Sequence, residues 1–550
     1  MPEHNVGITL DPAIVAARGR GRREAGLWLD LSVDSRLAQH VARQPEKTAV
    51  VAYRADGRPP RRISYLELGA LVDRAAAGLR DMGVQRGDVV SIQLPNWWEF
   101  VVAALACVRV GAAANPMVPI LRQREVGYMV GFSDAKVLIV PKVFRGFDHA
   151  AMARGLRAQC PKLQRVIVVD EDGPDGFEQA LLSGSATLPH EQATSALQPD
   201  DLLVLMYTSG TTGEPKGVMH TSNTVNGSVL RFAAGLGLNA DDVSFSATPV
   251  GHMTGYGIFV MLPVLMGSSV VLQDVHDAHA GVRIMQAEGV TFSAGATPFL
   301  ADLFEAALSS GVLPSRLRRF YCSGAPIPPQ LVQRAWHELK LSVSSVWGMT
   351  ELIAGTMTEP ELAEKAWTTD GRALPGIEVK VVDGEGSELP RGQAGRLLVR
   401  GASLFCGYLK RPELGTVDAD GWFDSGDLAR MDGEGYIRIT GRTKELLIRG
   451  GENVPVIEIE NLLLQHPAIA AVAIVGMPDV RLGERGCAFV VLRPGHAMDL
   501  PTMQAHLAAL KVAKPFWPER LECIDALPMT ASGKLQRFVL KTMAERYTVS

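Results

Sequence analysis

Short apolar runs alternate with helical patterns of apolar residues through most of the 550-residue chain. The helical patterns repeat apolar residues every three to four positions, as in residues 99–110, and polar residues close the short runs. Continuous apolar runs are typical of strands that are buried on both faces. The pattern therefore predicts parallel sheets covered by helices. The runs that predict strands are residues 89–96, 138–142, 165–170, 202–207, 268–274 and 290–295.

The most apolar stretch, residues 258–272, is interrupted by Pro263 and Gly267. It is shorter than the roughly 20 apolar residues that a transmembrane helix needs. It therefore predicts a buried helix that runs into a strand, and we expect no membrane span. The N-terminal residues contain acids and an arginine cluster but no apolar core of a signal peptide, so no targeting segment is expected.

The pattern changes near residue 379, where glycine turns join short strands. Asp-Gly at 383–384 is a typical hairpin turn, so this region predicts hairpins or a small barrel. The last part of the chain predicts a small α/β domain, with a boundary near residues 442–445. Its helices are predicted at 456–465 and 502–511, and its strands at 470–475 and 487–492.

The composition is that of a folded globular enzyme, since 47% of the residues are hydrophobic and 21% are charged. The 55 basic and 59 acidic residues give a net charge of −4, which argues against a nucleic-acid-binding protein. The six cysteines contain no Cys-x-x-Cys pair. They indicate reduced thiols in a cytoplasmic protein rather than a disulfide framework or a zinc site.

Residues 207–217 are the strongest candidate for chemistry, because hydroxyls, glycines and one lysine follow a buried apolar run. Such a loop offers many N–H and O–H donors that can surround phosphate oxygens, and Lys216 adds a positive charge. The segment differs from a Walker A loop, in which Gly-Lys is followed by Ser or Thr. Here Pro215 precedes Lys216 and Gly217 follows it.

This segment resembles the signature of the adenylate-forming superfamily, which includes acyl-CoA synthetases, adenylation domains of nonribosomal peptide synthetases, and luciferases. Five further segments resemble that superfamily's motifs in the same order along the chain, and six ordered motifs are far more specific than one. Within the superfamily the chain resembles the AMP-dependent acid–CoA ligases. The five further segments are residues 323–326, 347–351, 422–428, 441–453 and 527–537.

The resemblance implies an α/β fold with a large N-terminal body of stacked, mostly parallel sheets and helices, a small β-barrel-like subdomain, and a small mobile α+β C-terminal domain. We expect the body at 1–441, a hinge at 442–444 and the mobile domain at 445–550. Lys444 would be the hinge residue. After rotation of the mobile domain, Gly450 and Gly451 would line a tunnel for CoA.

The resemblance also implies ATP and CoA as substrates and Mg²⁺ as the metal. Lys534 would be the catalytic cation at the α-phosphate and the incoming carboxylate, and Thr350 would bind the α-phosphate. Glu351 and Thr208 would hold Mg²⁺, since hard oxygen ligands suit a hard cation.

Asp427 would accept hydrogen bonds from both ribose hydroxyls, and Arg442 would contact the ribose or a phosphate. Trp347 would stack on adenine, although a core tryptophan is the alternative. The residues implied in nucleotide binding are Thr208, Ser209, Gly210, Thr211, Thr212, Gly213, Lys216, Gly324, Ala325, Pro326, Trp347, Gly348, Met349, Asp427 and Arg442.

The acyl pocket would draw on His252, Gly255, Gly295 and Ala296, where small residues leave room for a chain or a ring. His252 would be either a gate residue or a buried core residue. This stretch lacks an aspartate of the kind that pairs with the ammonium of an amino-acid substrate, although Asp274 and Asp277 lie just beyond it. We therefore expect a hydrophobic carboxylic acid, medium-chain, alicyclic or aromatic, that is converted to acyl-AMP and then to acyl-CoA.

Two other functions use the same motifs. The protein could adenylate an acid and load a separate carrier protein, or it could be a catalytically silent sensor of acyl groups or nucleotides. No carrier-protein domain is seen after the lysine motif, which favours a stand-alone ligase. The joint presence of Lys216, Glu351, Asp427, Arg442 and Lys534 speaks against a sensor. The expected partners are the acid and CoA without nucleic acid, and a homodimer is left open.

Overall fold

The structure is a computed structural model that describes residues 10, 15, 19, 21–184, 197–208, 215–324, 327–443, 447–449, 452–454, 456–530 and 535–547. The helices, in chain order, are α1 Val33–Arg43, α2 Tyr65–Asp81, α3 Trp98–Val110, α4 Gln123–Phe132, α5 His149–Leu156, α6 Ser222–Gly235, α7 Leu262–Met266, α8 Ala278–Ala287, α9 Thr297–Ser310, α10 Pro329–Leu339, α11 Ala363–Thr368, α12 Val456–Leu463, α13 Leu500–Ala509 and α14 Arg537–Ala544. The described residues also contain two π-helical segments, Glu178–Leu182 and Gly255–Met261, and two 3₁₀ turns, Pro412–Leu414 and Lys514–Phe516.

The strands of the first 221 residues are β1 Thr48–Tyr53, β2 Arg61–Ser64, β3 Val89–Ile92, β4 Ala113–Pro116, β5 Val137–Pro141, β6 Val143–Phe144, β7 Phe147–Asp148, β8 Arg165–Val169, β9 Leu202–Thr208 and β10 Lys216–Thr221. The strands that follow up to residue 442 are β11 Val243–Ser246, β12 Ser269–Gln273, β13 Phe292–Gly295, β14 Arg319–Cys322, β15 Ser342–Trp347, β16 Thr356–Met357, β17 Arg372–Ala373, β18 Ile377–Val382, β19 Ala394–Gly401, β20 Phe423–Met431 and β21 Ile437–Arg442. The last strands are β22 Leu447–Arg449, β23 Glu452–Val454, β24 Ile469–Asp479, β25 Gly483–Leu492 and β26 Arg520–Cys523.

Two large sheets form the body. The six-stranded sheet has the order β10-β9-β4-β3-β5-β8, and all of its strands are parallel except β10, which pairs antiparallel with β9. The nine-stranded sheet has the order β17-β16-β15-β14-β13-β11-β12-β1-β2, with antiparallel strands only at its two ends. The prediction of parallel sheets is confirmed.

The two sheets divide the body into layers, because successive residues of a strand point to opposite faces. Val50 packs into a central hydrophobic core and Val51 into an outer core with α8, α9 and α10. Val90 points into the same central core, whereas Val89 points into a second outer core with α4 and α5. The central core therefore lies between the sheets and contains α2, α3 and α6.

The segment that follows is antiparallel. Strands β18 to β21 form a four-stranded meander in chain order, which confirms the hairpins predicted near residue 379. The predicted helix and strand at 258–272 are also confirmed, as a π-helical turn and α7 followed by β12. No helix among the described residues is long and apolar enough to cross a membrane.

The C-terminal part has its own five-stranded sheet. Strands β23, β22, β25 and β24 follow one another across it, and β26 pairs in parallel with β25. Helices α12 and α13 pack on one face around Ile474 and Val490, and α14 packs on the other face around Ala473 and Phe489. This is the small α/β domain that the sequence predicts.

Candidate active site

The predicted site residues follow strands that end at the carboxyl edges of the sheets, where ligands of open α/β sheets bind. Thr208 is the last residue of β9, and Lys216 faces it as the first residue of β10. Trp347 ends β15 in the other sheet, and Gly295 ends β13. The two sheets therefore deliver different parts of the candidate site.

A buried hydrogen-bonded chain joins the two sheets. The Tyr408 hydroxyl donates to Oε1 of Glu351 at 2.6 Å and lies 3.0 Å from Nζ of Lys216. The Lys216 ammonium also lies 4.3 Å from the centre of the Tyr408 ring. Burial, followed by the nearby Glu351 charge, raises the pKa of Tyr408 far above its usual value, so the hydroxyl stays a donor. The lysine of the phosphate loop is thus linked to the predicted metal ligand.

His220 makes a second link between the sheets. It lies on β10 and is fully buried, and its Nε2 donates to the carbonyl oxygen of Thr350 at 2.7 Å. Its Nδ1 lies 3.0 Å from the Thr224 hydroxyl. Burial lowers the pKa of His220 to about 4, so the imidazole is neutral near pH 7. The neutral ring holds the backbone that carries Thr350 and Glu351.

The turn after β15 has an unusual backbone. Ile353 is buried and has a φ of 73°, a left-handed conformation that a β-branched residue rarely adopts and that costs about 1–3 kcal/mol. Its N–H donates to the Met349 carbonyl at 2.7 Å. A Cβ on Gly348 would lie 2.1 Å from the Ile353 carbonyl oxygen, so only glycine fits there. The turn that presents Thr350 and Glu351 is closely packed as well as strained.

Asp427 is the centre of a second polar group. It is 4% exposed, and its Oδ2 accepts a hydrogen bond of 2.7 Å from the indole Nε1 of Trp347. Its Oδ1 lies 2.9 Å from Nε of Arg442, which faces it across the β20–β21 ladder. The structure therefore brings together three of the residues predicted at the ribose and adenine end of the site.

The residues predicted for the acyl pocket differ in their surroundings. A Cβ on Gly255 would lie 2.2 Å from the Pro249 carbonyl oxygen, so this glycine allows close backbone packing instead of opening a pocket. Gly295 lies against Phe299, to which a Cβ would approach within 2.9 Å. His252 is half-buried at the turn before the π-helical segment, where its backbone N–H donates to the Pro249 carbonyl.

A narrow, mainly apolar cavity begins beside Ala294 on β13, between the nine-stranded sheet and helices α8 and α9. Its volume is about 20 Å³, room for about one water molecule. Gln273 stands at one side of it and is buried. The walls include Ala247, Ser293, Ala294, Phe299, Leu303 and Phe320, and His276 and Asp277 also line the cavity.

Several predicted residues lie outside the described part of the chain. They are Ser209, Gly210, Thr211, Thr212, Gly213, Ala325, Pro326, Lys444, Gly450, Gly451 and Lys534. Of the adenine-side turn, Gly324 is described and has a φ of 84°, which favours glycine.

Sequence reasoning did not select Tyr408 and His220. Tyr408 has no motif of its own, and the pairing of its segment with the phosphate-loop strand at Val218 places it beside Lys216. His220 follows Lys216 by four residues and could have been noticed as the one titratable side chain after Lys216 in a strand that is otherwise apolar and hydroxylated.

Family models match both parts of the chain. The AMP-binding enzyme model matches residues 37–409, and the model of the AMP-binding enzyme C-terminal domain matches residues 458–534. The chain therefore belongs to the AMP-binding enzyme family, which is the adenylate-forming superfamily. The hinge predicted at 442–444 falls between the two matched ranges and stays a prediction.

Curated relatives match along nearly the whole chain. A medium-chain fatty-acid–CoA ligase of Escherichia coli K12 is 36% identical over 543 residues, 98% of this chain and 94% of that protein. A salicylyl-CoA synthase / salicylate adenylyltransferase of Streptomyces is 33% identical over 94% of each chain. A salicyl-AMP ligase / salicyl-S-ArCP synthetase of Mycobacterium tuberculosis is 34% identical over 95% of this chain and 92% of that protein.

Solved structures show the same fold. ATP-bound MatB of Rhodopseudomonas palustris aligns with a TM-score of 0.82 and 27% identity over 93% of this chain and 99% of that one. The o-succinylbenzoate CoA synthetase of Bacillus subtilis, in complex with its acyl-adenylate intermediate, aligns with a TM-score of 0.78 and 27% identity over 92% of this chain and 97% of that one. The family membership and these relatives together show that the chain is an AMP-forming acid–CoA ligase that uses ATP and CoA.

Proposed function

We propose that this enzyme activates a hydrophobic carboxylic acid, medium-chain, alicyclic or aromatic, and transfers the acyl group to CoA. The observation that carries the choice of acid is the cavity beside Ala294, whose walls are mainly aliphatic and aromatic, with His276 and Asp277 at the start of α8 among its polar lining residues. Relatives named for medium-chain fatty acids and for salicylate support the same class. Because the cavity is small, an acyl group would enter only if the Phe299 and Leu303 side chains move.

In the first half-reaction the substrate carboxylate would attack the α-phosphorus of ATP, and pyrophosphate would leave. Phosphoryl transfer of this kind depends mostly on positioning and on cations near the phosphoryl oxygens. Lys216 would supply one cation, held in place by the Tyr408 hydroxyl. Thr350 would bind the α-phosphate from the turn that His220 holds. Lys534 would supply the second cation, by the resemblance of its motif.

Mg²⁺ fits the oxygen atoms that the site presents. Oγ1 of Thr208 is buried and has no hydrogen-bond partner among the described residues, and Glu351 is 5% exposed. No group of three His, Cys, Asp or Glu side chains suited to a metal occurs in the described part of the chain. Mg²⁺ usually takes one or two carboxylates and completes its shell with substrate phosphates and water, so Glu351 and Thr208 would suffice. Bound there, it would neutralise phosphate charge.

In the second half-reaction the CoA thiol would attack the acyl carbon, and AMP would leave. By the resemblance, the domain that follows Lys444 would rotate and bring Gly450 and Gly451 to the CoA tunnel. We place the reaction in the cytoplasm, because all six cysteines are free thiols and five of them are buried.

The test is an assay of the purified protein with ATP, Mg²⁺ and a panel of acids, with and without CoA. We expect AMP and acyl-CoA in equal amounts with C6–C10, cyclohexane and benzene carboxylic acids, and neither product with amino acids. AMP without thioester for every acid would contradict CoA as acceptor and favour a carrier protein.

The position of the acyl group is tested by Phe299→Ala. Removing the ring should raise the ratio of kcat/KM for a C12 acid to that for a C6 acid, because the cavity becomes longer. Leu308→Ala is the control, since Leu308 is exposed on the same helix. An unchanged ratio in Phe299→Ala would place the acyl group elsewhere.

A further inference from the structure

Trp347 offers the site an N–H group as well as an aromatic ring. Indole has one hydrogen-bond donor, and here that donor is 2.7 Å from Oδ2 of Asp427. Both side chains are buried, with 7% of Trp347 and 4% of Asp427 exposed. A bond from a neutral donor to a buried carboxylate is stronger than one between neutral groups.

The two donors to Asp427 lie at different distances in sequence from the predicted hinge. Trp347 is the last residue of β15, inside the nine-stranded sheet. Arg442 is the last residue of β21, and its side chain is 51% exposed. Arg442 also begins the predicted hinge. A movement at the hinge can withdraw the guanidinium from Asp427, whereas the indole stays in the sheet.

We propose that Trp347 is a positioning residue that orients the Asp427 carboxylate for the ribose. With Oδ2 fixed by the indole N–H, the remaining lone pairs of the carboxylate face the nucleotide, whether or not Arg442 contacts Oδ1. The inference rests on the proposed function, in which Asp427 binds the two ribose hydroxyls. A ring that only stacked on adenine would have no use for this hydrogen bond.

The experiment compares ATP with its 2′,3′-dideoxy analogue, which lacks the hydroxyls that Asp427 would bind. The assay is ATP–pyrophosphate exchange with one good acid, and the variant is Trp347→Phe, which keeps an aromatic ring and removes the N–H. We expect kcat/KM for ATP to fall at least tenfold, as a hydrogen bond to a charged group implies. For the dideoxy analogue it should fall less than twofold.

Trp28→Phe is the matched control. Trp28 is also buried, and its indole N–H donates to the Ala402 carbonyl at 2.9 Å, in a different part of the body. This variant loses an indole hydrogen bond and should keep the wild-type preference for ATP. Because the readout is a ratio of two substrates on one preparation, partial unfolding of either variant does not affect it.

Three results would overturn the inference. Equal loss with both nucleotides in Trp347→Phe would mean that the ring only stacks or packs. A full preference for ATP in that variant would mean that Asp427 is oriented without the indole. A wild-type enzyme that adenylates its acid but does not distinguish the two nucleotides would remove the ribose role of Asp427 as well. An enzyme that forms no adenylate with any acid would instead contradict the proposed function.

Discussion

The buried imidazole of His220 allows a quantitative prediction about stability and pH. Its pKa is about 4 in the folded protein and 6.5 in an exposed histidine, with burial as the cause. Between these two pH values His220 is protonated in the unfolded chain and neutral in the folded protein. The free energy of unfolding therefore falls as the pH falls from 6.5 to about 4. At 1.36 kcal/mol per pKa unit, His220 alone lowers it by about 3 kcal/mol.

The perturbation is His220→Gln, because a glutamine amide can still donate to the Thr350 carbonyl but does not titrate. Urea unfolding at pH 7, 6, 5 and 4 gives the free energy of unfolding of each protein. Tryptophan fluorescence reports mainly the unfolding of the body, because Trp517 is the only one of the eight tryptophans beyond residue 443. We expect wild type to lose about 3 kcal/mol more than His220→Gln between pH 7 and pH 4.

The control is His279→Gln, which removes an exposed histidine from α8 and should keep the wild-type pH dependence. The same loss of stability in wild type and in His220→Gln would contradict the prediction, since it would mean that His220 accepts a proton in the folded state. A wild-type loss that is complete above pH 6 would refute it as well, because it would place the folded pKa near the ordinary value.

Three further predictions concern the chain of contacts around the phosphates and the C-terminal domain. Tyr408→Phe removes the hydroxyl that donates a hydrogen bond to Glu351, so KM for ATP should rise at least tenfold with little change in KM for the acid. Equal changes in both constants would contradict a role of Tyr408 at the phosphates. Glu460→Gln breaks a buried ion pair with Arg537 that has two hydrogen bonds, of 2.7 and 2.8 Å. Hydrogen exchange should therefore show that the free energy of unfolding α14 falls by about 3–5 kcal/mol. Glu458→Gln, which breaks an exposed pair with Arg430, should cost less than about 1 kcal/mol, and a similar loss in both variants would contradict the reasoning. Lys534→Ala should abolish adenylation and leave thioester formation from preformed acyl-adenylate largely intact; if both half-reactions fall equally, the account with two conformations is wrong.

Strands of the body could be predicted well because they are buried on both faces. The run at 165–170 is strand Arg165–Val169, and the run at 268–274 is strand Ser269–Gln273. Burial on both faces favours apolar residues at successive positions, which leaves a clear signal in the sequence. The helix predicted at 99–110 is Trp98–Val110, and all of it except Arg109 is buried.

Contacts between distant parts of the chain could not be predicted in the same way. His220 and Thr350 are 130 residues apart, and Lys216 and Tyr408 are 192 apart. A residue's own neighbours in sequence carry no signal for such contacts, since they depend on which strands lie side by side. For the same reason the hydrogen bond of Trp347 was missed, although its place near the nucleotide was predicted.

The nine-stranded sheet has a consequence for how the chain folds during synthesis. Strand β1 pairs with β12, with Val50 opposite Val270, and the whole six-stranded sheet lies between them in the sequence. As the chain leaves the ribosome, the six-stranded sheet is complete at Thr221, but β1 has only β2 as a partner until β12 emerges. An apolar strand edge is thus exposed for a large part of synthesis, and contacts so far apart in sequence form slowly. The first strand made is therefore covered only after every strand of the six-stranded sheet has emerged.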